Sequence, residues 1–147
     1  MALSKAVTEH SIPLEWVRGV GAEDKSVKVP KRLGGGYMAN LAVFHQLHCV
    51  NILWQHTYLD YYKPREKILQ EGDEKVHQHL DHCADIVRQA LMCHADTSTL
   101  TYDWPEDRTE EFLKENHTLP RTCRKWDKIM DWARDRELVQ YSADAMQ

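Results

Sequence analysis

FHQLHCVN, residues 44–51, and QHLDHCAD, residues 78–85, carry the same pattern, His-x-x-His-Cys, at an offset of 34 residues. The repeated positions are His45, His48 and Cys49, then His79, His82 and Cys83. On a helix, residues three and four apart are neighbours on one face. At about 100° per residue, His45 and His48 lie about 60° apart, and Cys49 lies about 40° to the other side of His45. Each stretch therefore offers two imidazoles to one side of a helix. Two such helices packed face to face bring four neutral nitrogens together.

The surrounding pattern predicts those helices. From Met38 to Tyr62, Leu41, Phe44, Leu47, Ile52 and Leu59 recur at helical intervals without Gly or Pro, and Pro64 forbids easy continuation. Gly72-Asp73 marks a break. Val76, Leu80, Cys83, Val87, Ala90 and Leu91 then predict a second helix over 74–93. Trp126, Ile129, Met130, Ala133 and Leu138 predict a C-terminal helix over 122–138. Between these, HADTSTL (94–100) and YDWPED (102–107) read as breaks, and 108–120 is mixed. Residues 1–36, with Pro13, Pro30 and Gly34 to Gly36, read as loop-rich, with a short extended piece at KSVKVPKRL (25–33). Strand-like alternation is scarce. The expected fold is mainly α: a loop-rich segment over 1–36, then one small helical metal-binding domain over 37–140.

The bulk properties set limits. The chain has 147 residues, long enough to bury a core without a metal or disulfide to fold it. The net charge of −4 and the scattered basic residues exclude a nucleic-acid footprint. No stretch reaches the roughly 18 apolar residues that cross a bilayer, and MALSKAVTEHSIPLEW has no apolar core of signal-peptide length. As written, the chain reads as soluble. With a membrane segment ahead of it, the domain would lie in the lumen of the secretory pathway; otherwise it would be cytoplasmic. The sequon Asn116-His117-Thr118 would accept a glycan in that lumen.

Imidazole ligands suit zinc, copper, iron and nickel. No carboxylate shares the motif face as in Glu-x-x-His di-iron bundles, so an all-histidine set leans to copper, with zinc as the alternative. Asp81 and Asp85 are candidates to accept the free ring N–H of a ligand. Cys49 and Cys83 could be ligands in a closed zinc site, disulfide sulfurs or plain core residues. Cys83 and Cys93 lie ten residues apart on one helix, about 15 Å, and cannot bridge each other. The remaining pairings are Cys49–Cys83 with Cys93–Cys123, or Cys49–Cys93 with Cys83–Cys123; the doubled motif favours the first. His94 lies about three turns beyond His82 and cannot join the same ion. His56 reads as a surface or pocket-lining residue, and His10, His77 and His117 as solvated. No Ser-His-Asp order or G-x-S-x-G elbow is present.

VFHQLHCVN, HLDHCADIVRQALMCHADTSTLTYDW and TCRKWDKIMDWA together resemble the fungal family named for the UstYa protein of ustiloxin biosynthesis, over roughly residues 37–135. The resemblance implies oxidative tailoring in fungal secondary metabolism: macrocyclisation of ribosomal peptides, hydroxylation or copper-dependent C–H halogenation. It implies His45, His48, His79 and His82 as metal ligands. The sequence departs from the family pattern in lacking an N-terminal membrane helix, in Trp54 where Arg is frequent, and in Arg121 where His often precedes Thr-Cys.

The leading expectation is thus a copper oxidase or halogenase. One or two copper ions and dioxygen would act on a small-molecule or peptide natural product, with the four histidines as catalytic residues. A non-redox cyclase or lyase using the histidines as acid and base, or zinc as Lewis acid, is the second expectation. A non-enzymatic, zinc-stapled module is the third. A homodimer would cover apolar faces such as Trp54 and Leu59.

Overall fold

The computed structural model describes residues 9–22, 25–104, 113–118 and 120–138. Part of the expected break (105–107), part of the mixed stretch (108–112 and 119), and the ends of both expected segments (1–8 and 139–140) lie outside these residues. Two helices dominate: α2, Ala42–His56, and α4, Asp73–His94. Around them stand β1 (His10–Ile12), α1 (Leu14–Gly19), β2 (Tyr37–Ala39), α3 (Leu59–Tyr62), β3 (Thr101–Asp103), β4 (Lys114–Asn116) and α5 (Trp126–Arg134). Single 3-10 turns at Lys31–Leu33 and Lys67–Gln70 fill connections. The domain is mainly α, and α2 packs chiefly on α4. No helix among the described residues is long and apolar enough to cross a membrane.

The two halves of α2 bury different neighbours. Its first turns place Phe44 against Ala133 of α5, with Leu41, Val43, Ile129, Met130 and Trp132 closing round them. Its later turns bury Cys49 and Ile52 against Cys83 of α4, under Leu53, Ile68, Leu80, Ile86 and Val87. The α4 helix starts at Gly72, whose φ of 94° a side chain would resist, and carries Asp73 and Glu74 in its first turn, where the helix dipole favours acids. It ends at Ala95 in the left-handed region.

Four sequence expectations need correction. The helix expected from Met38 to Tyr62 is interrupted. Tyr37–Ala39 instead pairs antiparallel with β1, and the helix stops at His56 because Thr57 turns its N–H and hydroxyl back onto the Trp54 carbonyl. The N-terminal segment is less loop-like than expected, since β1 and α1 lie within it. The C-terminal helix is shorter than 122–138. Past Arg134 the chain is drawn into pairing with the N-terminal strand, through Ser11 N–H to the Arg136 carbonyl and Leu138 N–H to the Glu9 carbonyl. Finally, Leu91 is 70% exposed although its period places it on the core stripe. The helices run antiparallel, with His45 facing His82 and His48 facing His79. In that register, residue 91 would face residue 36, ahead of the start of α2, so the last turns of α4 overhang their partner.

The β1–β2 ribbon depends on one glycine. A Cβ on Gly36 would collide with Ser11 Oγ and stand 2.8 Å from the Ile12 carbonyl oxygen, and its φ is +85°. Gly36→Ala is therefore expected to cost about 2 kcal/mol or more, read as a lower midpoint in urea unfolding. Gly34→Ala is the comparison, because it shares the positive φ but meets nothing within 4 Å.

Candidate metal centre

The doubled motif becomes a four-sided arrangement of imidazoles. His45 and His48 sit on α2, and His79 and His82 on α4. Going round, the ring centroids are 6.4 Å apart for His45–His48, 6.1 Å for His48–His79, 6.4 Å for His79–His82 and 5.5 Å for His82–His45. The first histidine of each motif faces the second of the other. The antiparallel pair therefore has a local two-fold relation, and that relation is why one pattern serves both helices. Cys49 and Cys83 lie on the buried side and are fully excluded from solvent. The rings lie towards the surface, with His45, His48 and His82 exposed and His79 half-buried.

Two features favour neutral, ligand-ready nitrogens. Loss of part of its hydration first, although the residue stays exposed, then the neighbouring His79 and His45, hold His48 below the ordinary imidazole range, with Glu66 opposing them. His79 Nε2 is buried and has no hydrogen-bond partner in the protein, a costly arrangement unless something else engages that nitrogen. At metal–nitrogen distances of about 2.0–2.1 Å, two imidazoles on one ion place their centroids roughly 4.5–6.4 Å apart, according to the angle at the ion. Each edge of the square falls in that window. Four rings round a single ion would stand nearer, roughly 4.5–5.2 Å on each edge. Consistently, among the described residues no three His, Cys, Asp or Glu side chains already close on a common point. The donor set suits copper or zinc by chemistry. Ring rotation, or one ion per cross-helix pair, would complete the coordination.

The other candidates fall in different places. Asp85 accepts hydrogen bonds from Arg88 Nε at 2.9 Å and Gln89 Nε2 at 2.6 Å. These bonds hold its carboxyl below the usual range, Arg88 contributing most. Asp81 is exposed. Among the described residues, neither carboxylate hydrogen-bonds a histidine ring. The acid that bears on His48 is Glu66, whose Oε1 takes a 3.2 Å hydrogen bond from the buried Gln55. It sits in a polar connection with no periodicity, so no spacing signal pointed to it. His77 and His94 turn their Nδ1 atoms onto the carbonyls four residues back, each at 2.9 Å. His10, expected to be solvated, is completely buried, edge-on to Trp132 at 5.4 Å, because β1 is enclosed between β2 and the chain after α5.

All four cysteines stand as thiols. Those of Cys49 and Cys83 share one buried cluster, and burial first, then the neighbouring Cys49 thiol, push the Cys83 thiol up to about 12. Cys49 Sγ is also 3.9 Å from His45 Nε2. Cys93 and Cys123 are exposed. The segments that hold them approach through the Arg121–Asp96 ion pair, at 3.7 Å. A thiol whose folded pKa is raised favours folding below its unfolded value near 9. That stability fades as pH climbs from there towards 12, so reduced protein is expected to lose thermal stability over this alkaline window. Cys83→Ala removes that part of the pH dependence.

The family model described as "Mycotoxin biosynthesis protein UstYa" matches residues 6–136. The UstYa family oxidase phomYc' of Diaporthe leptostromiformis is 38% identical over 106 residues, 71% of this chain and 41% of that protein. The oxidase ustYa of Aspergillus flavus is 40% identical over 100 residues, 68% of this chain and 42% of that protein. The transacylase cctO of Talaromyces islandicus is 36% identical over 115 residues, 74% of this chain and 38% of that protein. The chain thus spans about two-fifths of the length of these relatives. No solved structure matches it. A family model that runs from the N-terminal ribbon to the end of α5, and so takes in both histidine helices, makes this chain a member of the UstYa family of mycotoxin biosynthesis proteins.

Proposed function

We propose that this domain is a copper-dependent oxidoreductase that tailors a fungal secondary metabolite, with His45, His48, His79 and His82 holding the metal. The observation that carries this reading is the histidine square, with the unpartnered His79 Nε2 at its buried corner. Its relatives named as oxidases favour the same class. Bound copper would supply one-electron redox chemistry and activation of dioxygen, for hydroxylation, desaturation, ring closure or halogenation. The protein's part follows from its own residues. His48 stays neutral near pH 7 and keeps a lone pair free. The two helices fix the spacing of the rings. Because three of the four rings are exposed, a small molecule or a peptide reaches them from the surface without a channel.

The name of the transacylase relative favours a second reading, in which no electron moves. There, neutral His48 takes a proton from a substrate hydroxyl or amine and a neighbouring ring returns one. Elemental analysis separates the two. After incubation with copper and desalting, the oxidoreductase reading expects one or two copper ions per chain and nitrogen hyperfine structure in the paramagnetic resonance spectrum. A copper-free protein that turns over substrate would establish the acid–base reading, and tightly held zinc whose removal unfolds the domain would establish a structural site.

A further inference from the structure

We propose that Cys49 and Cys83, unbridged in this structure, are oxidised to a disulfide that ties α2 to α4 behind the histidine square. Both residues are fully buried and share one core cluster with Ile52. That cluster spans the helix pair, bringing Cys49 of α2 and Cys83 of α4 into the same packed patch. Each follows the second histidine of its motif, so a bond between them crosses the pair at the point where the spacing of the four rings is set. Both sulfurs are fully buried while three of the four rings are exposed, although Cys49 Sγ stands 3.9 Å from His45 Nε2. Cys93, in the last turn of α4, and Cys123, ahead of α5, are both exposed.

The bond forms when two S–H bonds are exchanged for one S–S bond. The two electrons and two protons pass to an external low-molecular-weight disulfide, which leaves as two thiols. Burial gives an attacking thiolate no path to either sulfur in the folded domain. The bond therefore forms before α2 and α4 close, and afterwards it resists reduction unless the domain opens. The bond itself does not depend on the copper reading; its effect on the rings does, because helices held at a fixed separation present preset ligands.

The test uses the full chain, refolded from denaturant in a buffer of reduced and oxidised glutathione, alkylated, digested without reduction and mapped by mass. The expected result is a linked Cys49–Cys83 peptide pair, 2 Da lighter than the sum of the free thiols, as two hydrogens are lost. Recovery of both cysteines as alkylated monomers, or linked to Cys93 or Cys123, overturns the proposal. Closing a loop of 34 residues is expected to raise the thermal midpoint of oxidised over reduced protein by about 10 °C. An equal midpoint for mapped oxidised and reduced samples would deny it the role of a staple. Copper affinity is expected to fall about tenfold on reduction in wild-type protein, as when the support of metal ligands is loosened. A linked peptide without copper binding would sink the metal reading alone, and copper binding without a linked peptide would sink the cross-link alone.

Discussion

His45→Ala and His79→Ala are each expected to weaken copper binding by a hundredfold or more while leaving the domain folded. His45 is exposed and His79 half-buried, so truncation opens no large cavity. Truncating His79 also removes its unpartnered buried nitrogen, so thermal stability should stay within about 1 kcal/mol of wild type or rise slightly. The loss of affinity is larger than the tenfold to hundredfold that follows from disturbing a ligand's support, because a ligand itself is lost. Competition with a copper chelator of known strength measures it. The comparison variants are His77→Ala and His94→Ala, whose rings are turned onto their own helix; they should bind copper as wild type does.

Phe44→Ala is expected to produce the largest loss of stability. Phe44 is 1% exposed and stands between α2 and α5, against Ala133 and edge-on to Trp126 at 5.9 Å. Removing a buried aromatic ring typically costs about 3–5 kcal/mol, through lost burial and the cavity left behind. For a domain of this size that corresponds to a fall of roughly 10–15 °C in the melting midpoint. Phe44 also precedes His45, so a loosened α5 contact should disturb the start of the motif helix. Copper affinity should drop less than in His45→Ala, and calorimetry of the copper-free protein should show the stability loss unchanged.

How much of this was legible in the sequence follows from which physical signals are local. The helical period placed α2 and α4 and put each histidine pair on one helix face, because both depend only on residues three or four apart; the meeting of the two pairs depends on how α2 packs on α4. Leu91 departs from its helical period because exposure depends on where a partner helix begins, and nothing in α4 encodes the start of α2. His10 is buried against expectation for a similar reason. Its burial depends on the chain after Arg134 returning to pair with β1, a contact separated by more than a hundred residues. Glu66 went unnoticed because its bearing on His48 arises from a connection folding back past Gln55, not from any periodic pattern. Proximity in sequence points to Asp81 and Asp85, whereas the carboxylate of Asp85 is held by the guanidinium of Arg88 one turn away.

The central claim is that these four imidazoles hold copper. Its most direct test is paramagnetic resonance of the copper-loaded full chain, prepared with histidine of either nitrogen isotope. The account predicts a copper(II) signal whose hyperfine pattern changes with the isotope of histidine nitrogen. It also predicts that this signal is absent when His45, His48, His79 and His82 are all replaced by Ala in a protein that keeps its helical circular dichroism. A signal that ignores the isotope, or one that persists unaltered in the fourfold variant, would contradict it.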